Sequence, residues 1–355
     1  MEKNDVEPST LEENESITYA TRQMIPQLTQ IWIEAFGDER EYVDFYFTNR
    51  FCETDMLVYL LDGKPVSMIS MLPAYLRVSA IPDNEKVIGM PRQMRYIYAV
   101  ATLISYRGRG YARKLIKEAY RLLQVPLVLE PATAQLFYYY QRMGFCSAFA
   151  VSEYELNVQK EASRIGESVK ENQAIQENYF AETNVTMRAA EFIPVTDDAS
   201  PSEAGMTISL TGASQRYWLL TVTPHEYKKI RDEKLSVAGY VEWDEKAIAY
   251  ALLENDYCGG YAYKVFHDDM EDILMYRIED NRMRIIETTL SDADIHGVLA
   301  KLRIAPDAVT VRRPVTMHSN CMHGNSEPDS GKSRAFGMIL GESDLQNGYL
   351  NLTLE

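Results

Sequence analysis

The stretch Tyr96 to Leu123, YIYAVATLISYRGRGYARKLIKEAYRLL, constrains this chain more than any other. Its first part, Tyr96 to Thr102, alternates β-branched and aromatic residues and predicts a buried strand. A basic corner follows, Arg107-Gly108-Arg109-Gly110. The stretch ends as a helix with Ala112, Leu115, Ile116, Ala119, Leu122 and Leu123 on one face. Such a unit is an anion site for a physical reason. The first amides of a helix have no partner within it, and the aligned peptide dipoles place partial positive charge there. Gly108 and Gly110 remove the side chains that would hold a diphosphate away from those amides, and Arg107 and Arg109 add formal charge.

The spacing narrows the ligand. No Gly-Lys-Ser/Thr follows, so this is not the phosphate loop of the NTPases. Gly108-Arg109-Gly110-Tyr111-Ala112-Arg113 also lacks the last glycine of the dinucleotide fingerprint. With Arg107, Gly110 and Ala112 in register, the corner resembles the signature of the GCN5-related N-acetyltransferases: Arg or Gln, two residues, Gly, one residue, then Gly or Ala. In that family it grips the pyrophosphate of acetyl-coenzyme A. A second segment, Tyr140-Gln141-Arg142-Met143-Gly144-Phe145, resembles the family's Tyr-x-x-x-Gly-Phe close. Two motifs at this separation are far more specific than either alone.

The element order agrees with that resemblance over about 140 residues. A polar tail, 1–15, precedes a strand at Ile17–Thr21 and helices at 23–36 and 41–51. Strands at 56–61 and 64–71 join at Asp62-Gly63, a strong hairpin signal. A third strand, 72–79, leads to the central strand and its helix. Then come a short strand at 126–130, a helix at 133–143 stopped by Gly144, and an alternating strand, 145–156, expected to close the sheet. Residues 157–206 are rich in Glu, Gln, Asn and Ser and read as a polar linker, helical in part at 160–176. Apolar patterning returns in 207–355. Strands are expected at 217–222, 260–266, 272–278, 283–290, 308–313 and 348–354, and helices at 224–235, 244–254 and 292–302. Arg284 to Leu290 and the helix after it are similar to the central strand and helix of the family. There Ser291-Asp292-Ala293-Asp294 puts negative charge where a pyrophosphate would sit. The fold class is therefore α/β with a mixed sheet. An N-terminal acyl-CoA N-acyltransferase fold (16–156) is followed by a degenerate domain of the same kind (207–355), as in tandem relatives resembling the enhanced-intracellular-survival acetyltransferases. A sterol-carrier-like second domain is the alternative.

The resemblance implies site residues. The central-strand backbone at Val100, Ala101 and Thr102 would support the pantetheine arm and the thioester oxygen. Amides from Gly108 through Arg109, Gly110, Tyr111 and Ala112 to Arg113 would hold the diphosphate, with charge from Arg107 or Arg113. Thr133 stands where an asparagine often contacts the arm. Tyr140 takes the position of the general acid, since a phenol with a pKa of about 10 is protonated at neutral pH. Arg95 to Thr102 contains no acid to serve as base. Survival-type relatives use the chain's own terminal carboxylate, which here is that of Glu355.

Composition excludes other classes. A net charge of −16 argues against nucleic acid and anionic membranes as partners, and suits cationic small molecules or simple solubility. Cys52, Cys146, Cys258 and Cys321 lie far apart, as in a reduced cytoplasmic protein, and no apolar run reaches membrane-spanning length. His318, Cys321 and His323 fall in a polar stretch that reads as an exposed loop rather than a metal site. The expectation is an enzyme: an acetyl-coenzyme A-dependent N-acetyltransferase acting by direct attack of a primary amine, of a small molecule or peptide, with homo-oligomerisation left open. The competing class is a non-catalytic acyl-coenzyme A-binding protein whose second domain binds a partner.

Overall fold

In the computed structural model the described residues are 14–77, 79–80, 87–156, 217–235, 239–315, 332–342 and 345–351. The first half begins with β1 (Glu15–Tyr19), α1 (Ile25–Phe36) and α2 (Arg40–Asn49). Strands β2 (Met56–Leu61) and β3 (Lys64–Arg77) follow, and a small hairpin of β4 (Ser79–Ala80) and β5 (Val87–Ile88) leads to β6 (Arg92–Thr102). The half ends with α3 (Tyr111–Leu123), β7 (Leu127–Leu129), α4 (Ala134–Gln141) and β8 (Cys146–Leu156). The second half has β9 (Trp218–Thr221), α5 (Pro224–Lys234), β10 (Tyr240–Glu242) and α6 (Glu245–Tyr257). It continues with β11 (Tyr261–His267), β12 (Met270–Glu279), β13 (Arg282–Thr288), α7 (Asp292–Leu302), β14 (Ala308–Pro314) and β15 (Lys332–Leu340).

Among the described residues thirteen strands form one sheet, in the order β1-β2-β3-β6-β7-β15-β8-β14-β13-β12-β11-β9, with β10 on the end of β3. The order is the same read from either end. In each half three antiparallel pairings lead to a central strand. A helix then crosses over to a short parallel neighbour, β6-α3-β7 in one half and β13-α7-β14 in the other. Both central strands carry a bulge past their last parallel pair. In β6 it lies at Ala99 (φ 50°), between the pairs Tyr98–Ser70 and Ala101–Met68. In β13 it leaves Ile286 unpaired between Ile285 and Glu287.

The strand beyond each parallel pair comes from the other half. β15 pairs with β7, β8 pairs with β14, and β15 and β8 meet antiparallel at the centre. The expectation that 145–156 closes the first sheet is corrected here: β8 is an interior strand whose two neighbours both come from the second half. Two further corrections concern β3 and β15. The expected break at 71–72 does not occur, and β3 runs on to Arg77. Its Pro73 lies past the last pair with β2 (Met56–Ser70) and before β10 joins at Tyr75, where no ladder on that side needs its missing N–H. β15 lay unread behind the polar stretch.

Helices cover the faces. Leu115, Ile116 and Ala119 of α3 pack with Leu57, Ile69, Ile97 and Tyr140 in one core, and α1 and α2 bury Leu28, Trp32, Val43 and Tyr46 in another. A central core joins the halves: Leu72, Leu76, Met94 and Tyr96 meet Tyr227, Ile248, Ile273, Ile286 and Leu350. Each fully buried aliphatic side chain there stabilises the fold by roughly 1.5–3 kcal/mol, so the halves share one hydrophobic interior. The suggested helix at 160–176, the linker 157–206, and His318, Cys321 and His323 lie outside the described residues.

Candidate active site

The site is a fork in the sheet. β6 and β7 pair in parallel only at Arg95–Leu127 and Tyr96–Val128. Beyond them β6 runs on to Thr102 held by β3 alone, so its other edge borders an opening. The bulge at Ala99 bends this free portion. Val100 is half-buried and Ala101 buried, while the Ser67 hydroxyl fixes the strand end by donating to the Ala101 carbonyl at 2.8 Å and pairing with the Thr102 hydroxyl at 2.8 Å.

The glycine corner closes one end of the fork. Gly108 and Gly110 both adopt φ 80°, a left-handed conformation that costs other residues about 1–2 kcal/mol each. A Cβ at either position would meet no atom within 4 Å, so the corner faces open space. Gly110 is the N-cap of α3 and supplies no side-chain cap. The first amide taken within the helix is that of Lys114, by the Gly110 carbonyl at 3.0 Å. The amides of Tyr111, Ala112 and Arg113 therefore point out of the helix end toward the opening. Arg107, Arg109 and Arg113 are exposed around it. Arg107 Nε donates to the Thr102 carbonyl at 3.2 Å, and the Arg109 guanidinium lies over the Tyr106 ring. Tyr111 is the residue that anchors this turn. Its ring is buried and stacks on Tyr59 at 4.4 Å, with the Lys114 ammonium over both and bonded to the Tyr59 hydroxyl at 2.8 Å and Glu15 at 2.9 Å. Only its backbone is available to an anion, so its side chain is not as free to vary as the motif implies. On the other side of the turn Glu34 of α1 accepts from the Ile104 amide at 2.5 Å.

Tyr140 sits in the core beneath α3, edge-on to Phe145 at 5.7 Å and to Tyr139 at 5.2 Å. Burial, with a smaller contribution from Tyr139, raises its pKa above the ordinary phenol value, so the hydroxyl keeps its proton across the physiological range. Among the described residues nothing takes that hydroxyl in a hydrogen bond. Thr133 caps α4, its hydroxyl accepting from the Leu136 amide at 3.4 Å. Glu355 lies outside the described residues.

The equivalent fork in the second half is filled. Past Ile285–Val311 the Asn351 side chain donates to the Ile286 carbonyl at 2.8 Å and accepts from Arg312 Nη1 at 3.3 Å, while Trp243 Nε1 donates to the Asn351 carbonyl at 2.8 Å. The helix end there is capped from within, with Ser291 Oγ accepting from the Asp294 amide at 3.2 Å.

One group beside the first fork has no sequence signal. Glu254 of α6 is almost fully buried and accepts from Tyr42 of α2 at 2.6 Å, and Tyr42 stands 3.4 Å from the hydroxyl of Tyr98 on β6. No motif spans that distance in the chain. The nearest hint is the run of aromatic residues in α2, whose Phe45 stacks on Tyr257 of α6 at 4.2 Å.

Comparison with known proteins agrees with this geometry. Residues 16–148 match the model of the acetyltransferase (GNAT) domain. No curated protein matches the chain in sequence. Among solved structures, the probable N-acyltransferase of Enterococcus faecalis V583 is 13% identical, with a TM-score of 0.61 over 92% of this chain and 71% of its own. The GCN5-related N-acetyltransferase of Anabaena variabilis ATCC 29413 is 16% identical, with a TM-score of 0.58 over 92% of this chain and 72% of its own. Eis1 of Mycobacterium abscessus is 15% identical, with a TM-score of 0.55 over 92% of this chain and 73% of its own. At these identities the likeness to solved structures is one of fold, and it extends across both halves. The open fork, the bulged strand and the glycine corner thus lie within residues 16–148, the stretch that matches the acetyltransferase (GNAT) domain model.

Proposed function

We propose that the protein transfers acetyl from acetyl-coenzyme A to a primary amine of a small molecule or peptide. The observation that carries this reading is the uncapped, outward-facing end of α3 behind Gly108 and Gly110, set against the free edge of β6. A diphosphate suits that helix end, where amides from Gly108 to Arg113 converge and Arg107, Arg109 and Arg113 offset its charge. The β6 backbone at Val100, Ala101 and Thr102 would line the pantetheine arm, with Thr133 at the start of α4. Coenzyme A, when bound, supplies the activated thioester. Tyr140 would give a proton to the departing sulfur, a role its protonated, buried phenol suits.

The second half would not bind the coenzyme, because Asn351 fills its fork and Ser291, Asp292 and Asp294 crowd its helix end. We read residues 16–156 as the catalytic domain and 207–355 as a degenerate copy. Scattered cysteines suit work in the cytoplasm, and among the described residues no helix is long and apolar enough to cross a membrane.

Titration calorimetry with coenzyme A, followed by an amine panel with acetyl-coenzyme A scored by thiol release, tests the reading. Binding and thiol release are expected together. Absence of binding refutes the reading, and binding without release to any amine points to a carrier.

A further inference from the structure

An amine is protonated at neutral pH and must lose a proton before it attacks, yet β6 offers no acid between Arg95 and Thr102. Its neighbourhood does. Glu254, 3% exposed, accepts hydrogen bonds from two phenols: Tyr42 of the first half at 2.6 Å, and Tyr250 of its own helix at 3.4 Å. Tyr42 adjoins Tyr98 at 3.4 Å. That is long for a hydroxyl pair, but catalytic hydrogen bonds commonly tighten only when substrate binds. Tyr98 immediately precedes the bulge at Ala99, on the part of β6 that has left β7, and it is half-buried beside Trp32 and Tyr46. The hydroxyls of Tyr98 and Tyr42 therefore lead from the strand bordering the fork to a carboxylate in the other half.

We propose that Glu254, acting through Tyr42 and Tyr98, accepts the proton that the attacking amine loses. The inference rests on the transferase reading above. Tyr98 takes a proton from the ammonium as its own passes to Tyr42 and that of Tyr42 passes to Glu254. The freed nitrogen pair forms the N–C bond, and the C–S pair leaves with the sulfur. Tyr140 protonates the sulfur and regains a proton from the new amide nitrogen, and Glu254 releases its proton to solvent. No tyrosinate has to accumulate along the relay. Burial, with the charge of Glu254, raises the pKa values of Tyr42 and Tyr250, and burial with the neighbouring Tyr42 raises that of Tyr98.

Titratable groups facing Glu254 include Tyr42 and Tyr46 from α2, Tyr98 from β6, Tyr250 one turn earlier and Cys258 one turn later. The nearby guanidinium of Arg277 on β12 donates to Asn255 Oδ1 at 3.1 Å.

The test is the pH dependence of kcat/KM for a primary amine, measured beside coenzyme A affinity. In E254Q, which preserves shape and an acceptor for Tyr42, the acid limb should move up to the pKa of the free amine. The rate at neutral pH should fall roughly 10²–10⁴-fold with affinity unchanged, and E254D should restore part of it. Y98F keeps the ring, cuts the relay and should move the limb the same way, which keeps the inference testable if E254Q does not fold. Transfer with an unmoved limb in both variants overturns the inference. So does a limb moved instead by deleting residues 353–355, which would give the proton to the terminal carboxylate. A wild type that binds coenzyme A but acetylates no amine overturns the transferase reading itself, and this inference with it.

Discussion

At the scale of single residues, Tyr140 and Gly110 make the sharpest demands on the proposed chemistry. Tyr140→Phe removes one hydroxyl and leaves the ring contacts with Phe145 and Tyr139 in place. It should lower kcat roughly 10²-fold while coenzyme A affinity stays as it is, as calorimetry beside steady-state rates would show. Gly110→Ala should do the reverse. The new methyl meets no neighbour, but the left-handed backbone costs about 1–2 kcal/mol, enough to weaken coenzyme A binding about tenfold with little effect on bound-state turnover. Gly110→Asn, which tolerates that conformation better, should lose less. Both residues were legible in the sequence because each belongs to a pattern a few residues long. Glu254 was not, since 212 positions separate it from Tyr42 and nothing local marks a helical glutamate as buried.

At the scale of elements, turns and caps carried the most reliable information. Asp62-Gly63 and Asp268-Asp269 both take positive φ at two successive residues, the hairpin turn that matches strand twist, and the first of these is legible as a hairpin in the sequence. β15 was missed because its ladder with β8 slips on both sides of Gly337, which breaks the alternation a strand is recognised by. The N-terminus of α5 allows a test of electrostatics. Thr223 and Glu226 form a capping box, and Glu226 also accepts from Lys264 at 2.5 Å. Partial burial pulls the Glu226 pKa up, but Lys264 and Thr223 outweigh it and hold it at about 2, against an ordinary 4.5. The stabilisation is therefore complete above pH 4.5 and lost as pH falls toward 2. Glu226→Gln should flatten the acid-side decline in melting temperature across that window. Thr223→Ala should cost about 1 kcal/mol in denaturant unfolding at neutral pH.

At the scale of the whole molecule the two halves are not independent. The sequence showed two globular stretches and a polar segment between them, and the element order of each stretch was readable from its own periodicity. That β8 and β15 trade places was not readable, because an interior strand looks the same whichever half supplies its neighbours. A chain ending at Leu156 would leave β7 without β15 and β8 without either partner, exposing unpaired edges. It should be insoluble alone and recovered as a soluble complex when co-expressed with 207–355. A monomeric, cooperatively melting 1–156 fragment would contradict this. The exchange also bears on the order of events during synthesis. The strand that flanks β7 spans 332–340, so a nascent chain on the ribosome must hold its first half unfinished until those residues, about 200 positions after β7, have emerged. The proposed activity then arrives only once β15 has been made, and chains truncated before it should be inert rather than half-active.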